Sequence, residues 1–293
     1  MNTPQPNAGG TLDYIPFSDV PEDFQNEVGL KLADYSVAIG EVTQENPLRF
    51  RVFGSGALVS KGNRYGVLTA HHCVNRPHGP DFHFGFIGGD KLMLLLRRGN
   101  SSVLPSEILV RHNLGIPNHI NDEPDLAFIE ISNSPQLDSI KAISSFWSLD
   151  RDWWTIRKEF GQLEMPFTVN GFPGEYHDTK HDGNIIRKIY KHMAFFYAIR
   201  SDGIFPGQDW DYLEAVNRYN NGNELPSSFK GVSGGPAWGL KIQRKTSTGK
   251  FVLQDYCLIG IAISQIPISQ EELRVRIHFI RSIYDVAWQK LMP

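Results

Sequence analysis

Cysteine is nearly missing from this chain: Cys73 and Cys257 are the only two among 293 residues. A disulfide-stapled secreted scaffold is thereby excluded, since such folds rely on several bridges, and a reducing compartment fits best. Charge of one sign is lacking too. The formal net charge is -3, so no strong field attracts nucleic acid, and none is expected as a partner. Long apolar runs are also missing; none reaches the roughly 18 residues that cross a bilayer, and no membrane partner is expected. The opening stretch MNTPQPNAGGTLDY has no positive-then-apolar order of a secretory leader. Cytoplasmic residence follows as the expectation.

What is present is an ordinary globular composition, 41% apolar and 21% charged, enough to bury a core. Residues 1–35 begin rich in Pro, Gly, Asn and Asp and read as a flexible arm. From Ser36 the pattern turns to short apolar runs, SVAIGEV, LRFRVFGSGALVS and YGVLTAHHCV, broken by Gly, Asn and Pro. Such runs predict barrel strands over 36–143. Residues 144–161, with Trp147, Trp153 and Trp154, read as a linker packed between two halves. FTVNGFPG opens a second strand-rich region over 162–278, with a polar turn at HDTKHDGN. Ile280, Ile283, Tyr284, Ala287, Trp288 and Leu291 recur at helical spacing, predicting one closing helix over 279–293. A basic stretch, Arg187, Lys188, Lys191 and His192, is interleaved with Ile189, Tyr190 and Phe195 and reads as a solvated strand face.

Chemistry concentrates in three segments. FKGVSGGPAW places Ser233 between glycines, which permit unusual backbone angles and close approach of a substrate carbonyl. A serine hydroxyl alone is a poor nucleophile. It needs a base within hydrogen-bond reach, and the base needs a third group to fix its tautomer and stabilise its charge. TAHHCV offers the base and PDLAFIEI, a half-buried strand beginning beside Asp125, offers the carboxylate.

TAHHC resembles the histidine motif of the trypsin/chymotrypsin family, PDLAF its aspartate motif and GVSGGP its nucleophile motif, in the family's order. GSGALVS and CLIGIAIS resemble its strands, and FTVNGFPG its bacterial members. The resemblance implies a mostly β fold, a chymotrypsin-like double β-barrel with a C-terminal α-helix, acting as a serine endopeptidase without cofactor or metal. The histidine directly before the cysteine takes the catalytic role, so it implies His72 and not His71 as base, Asp125 as orienting carboxylate and Ser233 as nucleophile. Gly231 and Ser233 N–H groups would form the oxyanion hole. Ser227 and Ser228 would floor the primary pocket, Ser264, Gln265 and Ile266 would wall it, and Lys230 would sit at its lip. With no carboxylate at the floor, apolar or aromatic side chains are expected on the acyl side of the cut. Where the family's digestive branch has an aspartate that pairs with a freed N-terminus, this chain has Val232, so activation by that cut is not expected. The position matching the usual disulfide partner of Cys73 is Gly54, implying two buried free thiols. The expected partners are a protein or peptide substrate and a regulatory protein that gates it.

Two other classes compete. Gly231 to Gly235 matches the nucleophile elbow of α/β-hydrolase esterases, but that fold needs its acid and histidine after the serine, where Asp255, Asp285 and His278 are the candidates. A catalytically latent binding module of protease fold would keep the same motifs without turnover. His177 and His181 could seat a metal only on a helix, whereas the Asp, Thr and Gly around them predict an exposed turn. Gly54-Ser55-Gly56 lacks the following helix of a dinucleotide loop.

Overall fold

The computed structural model of the chain describes residues 20–45, 48–78, 83–86, 91–96, 100–116, 124–174, 177–182, 185–199, 203–206, 209–218, 230–245, 247–267 and 272–289. Helix α1 (Glu22–Leu32) precedes β1 (Ser36–Glu45), β2 (Leu48–Lys61) and β3 (Arg64–Thr69). A separate hairpin, β4 (Asn75–His78) and β5 (His83–Phe86), is followed by β6 (Lys91–Leu95), β7 (Ser101–Pro105), β8 (Leu109–Gly115) and β9 (Leu126–Ile131). Helix α2 (Pro135–Ile143), β10 (Trp147–Ser148) and α3 (Trp153–Phe160) connect to the second half. That half holds β11 (Pro166–Gly171), a hairpin of β12 (His177–Asp182) and β13 (Ile185–Tyr190), then β14 (Met193–Ala198), β15 (Ile204–Pro206) and β16 (Asp211–Arg218). It closes with β17 (Pro236–Arg244), β18 (Phe251–Pro267) and β19 (Glu272–His278). A π-helical turn, Ser282–Val286, runs into a short α4 (Ala287–Gln289).

The first sheet runs in the order β7-β6-β1-β2-β3-β9-β8, with β10 added parallel to β2, and the second in the order β14-β11-β17-β18-β19-β16-β15. Both are curled half-barrels whose main-path strands are antiparallel, so the fold is mostly β with a short C-terminal helix. No helix among the described residues is long and apolar enough to cross a membrane.

Strand alternation explains why the two sheets lie together. Val67, Ala127, Ile129 and Leu58 point to the core of the first barrel, whereas their neighbours Leu68, Leu126, Phe128, Ala57 and Val59 join the cluster shared with the second. With period 2, adjacent residues face opposite ways, and these central strands are buried on both faces. Aromatic rings fill the junction. Trp147 meets Trp238 edge-on at 5.2 Å, Tyr35 lies 5.2 Å from Trp238, and Phe128 meets Trp288 at 5.2 Å. The Trp147 indole also donates to Tyr284 Oη at 2.8 Å.

Several local expectations are corrected. Residues 22–32, assigned to the flexible arm, form α1, because Phe24, Val28 and Leu32 recur every four residues and bury one stripe; Phe24 packs on Phe251. The closing helix is not the only one: Ser134 caps α2 and Asp152 caps α3 through their side chains. The linker therefore carries both β10 and α3, with Trp153 packed on the core and Trp154 largely exposed. HDTKHD is a strand rather than a turn, because it pairs residue for residue with the β-branched and aromatic run IIRKIY. The side chains of His177 and His181 lie outside the described residues.

Candidate active site

β3 and β9 are neighbours, with Thr69 opposite Ala127. The chain leaving β3 forms a single 3₁₀ turn, His71–Cys73, beside Asp125, the residue just before β9. Asp125 then holds His72 at two points. Oδ1 accepts the His72 main-chain N–H at 2.9 Å, and Oδ2 lies 2.5 Å from His72 Nδ1. The carboxylate accepts, so Nδ1 carries the proton and Nε2 is the ring's basic nitrogen.

The Asp125 side chain is nearly buried, whereas that of His72 is a third exposed. Burial works against a charge on His72, while Cys73 and the Asp125 carboxylate work for it; together they hold the imidazolium well above the ordinary histidine value. Burial likewise opposes ionisation of Asp125. The charge of His72 and its two hydrogen bonds outweigh that, and the carboxyl lies below its usual value. His71 is buried beside the pair, and burial, with Arg111 and His72 adding to it against Asp125, lowers its pKa to about 4.

Ser233 sits in a turn entering β17 whose shape requires glycine. Gly231 and Gly234 have φ of +94° and +83°, where L side chains are strained. A Cβ at Gly231 would strike the Phe172 carbonyl, and one at Gly234 would strike Thr69 Oγ1 and the Ser55 carbonyl.

The turn is clamped from the other barrel by Ser55 of β2. Its N–H donates to the Ser233 carbonyl at 2.7 Å, and its hydroxyl donates to the Gly231 carbonyl at 2.5 Å while accepting the Phe172 N–H at 3.0 Å. Thr69 Oγ1 in turn donates to the Ser55 carbonyl at 2.7 Å. Gly234 and Gly235 N–H groups donate to Ala262 and Val232 carbonyls. None of these bonds uses the N–H of Gly231 or Ser233. Val232 is buried in the shared core. Cys73 Sγ donates to the Ser233 carbonyl at 3.3 Å, bringing the nucleophile turn against the residue next to His72. Both cysteines are buried free thiols, and a side chain at Gly54 would meet Cys73 Sγ.

The Ser233 hydroxyl donates to the Ile263 carbonyl at 3.2 Å. Among the described residues it forms no hydrogen bond with His72. A cavity beside it is lined by Lys230, Val232, Ala262, Ser264, Gln265 and Val275. Lys230, Ser264 and Gln265, three of the residues expected around the primary pocket, line this cavity. Ile266 is not among the residues that line it; it lies farther along β18, paired with Arg274. Ser227 and Ser228 lie outside the described residues.

Two residues of the neighbourhood carried no motif. Ser55 was legible only as part of a weak Gly-Ser-Gly, and His278, whose ring accepts the Asp125 N–H at 3.2 Å, only as a candidate histidine of the esterase reading. Compared with protein-family models and with curated proteins, the chain matches none.

Proposed function

We propose that this chain is a serine endopeptidase in which His72, Asp125 and Ser233 act as base, orienting carboxylate and nucleophile. The observation that carries the reading is the two-point hold of Asp125 on His72, which leaves a basic Nε2 on a part-exposed ring beside the Ser233 turn. In this reading Ser233 Oγ leaves the Ile263 carbonyl and gives its proton to His72 Nε2 as it attacks the scissile carbonyl. The carbonyl oxygen becomes an oxyanion facing the N–H groups of Gly231 and Ser233. His72 then returns the proton to the leaving amine, and water hydrolyses the acyl-enzyme by the same steps in reverse. Apo sites commonly hold such hydrogen bonds loosely and tighten them around substrate.

A protease-fold binding module is the second reading, and the Ser233 bond to Ile263 favours it. The esterase alternative loses its basis, because its nucleophile elbow belongs to a parallel sheet covered by helices. A fluorophosphonate probe separates the two that remain. Covalent labelling at Ser233, lost in Ser233→Ala, supports the peptidase; wild-type protein that stays unlabelled while folded, with and without candidate peptide substrates, supports the binding module. Gating by a regulatory protein and residence in the cytoplasm belong to the same proposal.

A further inference from the structure

The second barrel reaches the His72 and Asp125 pair through a residue that the steps above do not use. His278, the last residue of β19, is 0% exposed and packs against the rings of Trp210 and Tyr212, with centroids 4.9 Å and 5.0 Å away. Its Nε2 accepts the main-chain N–H of Asp125 at 3.2 Å. A ring nitrogen accepts only when unprotonated, so this contact requires a neutral imidazole with its proton on Nδ1, which has no hydrogen-bond partner among the described residues. Burial acts in the same sense and pushes the His278 pKa down to about 3, against the pull of Asp125. Asp125 belongs to the first half and His278 to the second, so the bond crosses between them at the residue just before β9.

We propose that His278 is a positioning residue of the candidate site, a neutral acceptor that pins the Asp125 main chain so that both carboxylate oxygens meet His72. Its consequence for catalysis rests on the serine peptidase reading; the positioning itself does not. A buried N–H needs a partner, and the choice of partner matters here. A carboxylate would place a second negative charge beside Asp125 and compete for the proton shared with His72. A neutral imidazole accepts the same bond and adds no charge. With its N–H held, Asp125 has only its side-chain torsions left to settle, and the paired contacts with His72 N and Nδ1 settle those.

NMR on the ¹⁵N-labelled full chain tests this without requiring turnover. A through-hydrogen-bond coupling is expected between the Asp125 amide and His278 Nε2, with His278 as an Nδ1–H imidazole that remains neutral at pH 5. A His278 that titrates near the ordinary 6.5, or that carries its proton on Nε2, overturns the proposal. His278→Phe keeps a ring and removes the acceptor, whereas His278→Gln keeps an acceptor near the place of Nε2. The Phe variant should move the His72 titration midpoint down toward 6.5 and slow fluorophosphonate labelling on the order of ten- to a hundredfold. The Gln variant should restore most of both. A folded Phe variant with an unchanged His72 midpoint would refute the assignment. If the wild type is never labelled and yet the Phe variant moves the midpoint, the peptidase reading fails and the positioning role stands.

Discussion

The Ser233 hydroxyl donates to the main-chain carbonyl of Ile263 at 3.2 Å and, among the described residues, forms no hydrogen bond with His72. In the proposed serine peptidase, attack requires the bond to Ile263 to break and one to His72 Nε2 to form. Ser233→Ala and His72→Ala should therefore abolish peptide cleavage with the fold retained. Asp125→Asn, which disturbs the tautomer of His72, should cost on the order of 10⁴ in turnover. Cleavage assays with matched circular dichroism decide this, and full activity in any of the three variants would exclude the triad.

Ser55→Ala should impair the site from the far barrel. It removes the donor to the Gly231 carbonyl and leaves the Phe172 N–H without its acceptor. We expect probe labelling of Ser233 to slow by on the order of tenfold or more as the Ser233 turn loosens, with the His72 titration unchanged. Because Ser55 and buried Val232 order this turn, a bulky tag on the N-terminus should not prevent labelling. Labelling that appears only after an N-terminal cut would contradict this.

The pH dependence has a definite sign. His72 must be neutral to accept a proton, and its folded pKa lies well above 6.5. Labelling should rise with pH, with a midpoint above 6.5; a rate that is flat from pH 5 to 9 would remove His72 as base.

Stability should respond to acid through the two other buried histidines. In the unfolded chain His71 and His278 take up protons near 6.5, but in the fold only near 4 and 3. Their contribution is fully present above pH 6.5 and is lost as pH falls through the folded values. Unfolding then takes up about two protons, a slope of up to roughly 2.7 kcal/mol per pH unit. His72, shifted the other way, contributes fully below 6.5 and does not offset this. Urea midpoints between pH 4 and 7 measure the slope, and His71→Gln should reduce it by about half.

Specificity should exclude basic side chains on the acyl side. No carboxylate is among the described residues lining the cavity. The buried Glu214 carboxylate is already taken by Arg274 at 3.2 Å and Arg276 at 2.6 Å. An arginine or lysine entering the cavity would lose water without finding a counter-charge. Sequencing the cuts made in a peptide library should show apolar or aromatic residues there, and a map dominated by Arg and Lys would overturn the expectation.

Sequence alone determined the strand-rich halves and the closing helical segment, because each depends on local pattern: period-2 runs, turn glycines and helical spacing. The three candidate residues, the choice of His72 over His71 and the missing disulfide partner of Cys73 came from resemblance to a family. Tertiary structure decided what local pattern cannot carry. The helix α1 hides in a segment whose first residues read as an arm, since a stripe of three apolar residues stabilises a helix only when Phe251 is there to cover it. Ser55 and His278 reach the site from opposite barrels, each across a long separation in sequence. Their roles consist of hydrogen bonds to main-chain atoms, and a main-chain partner leaves no mark on the residue type opposite it.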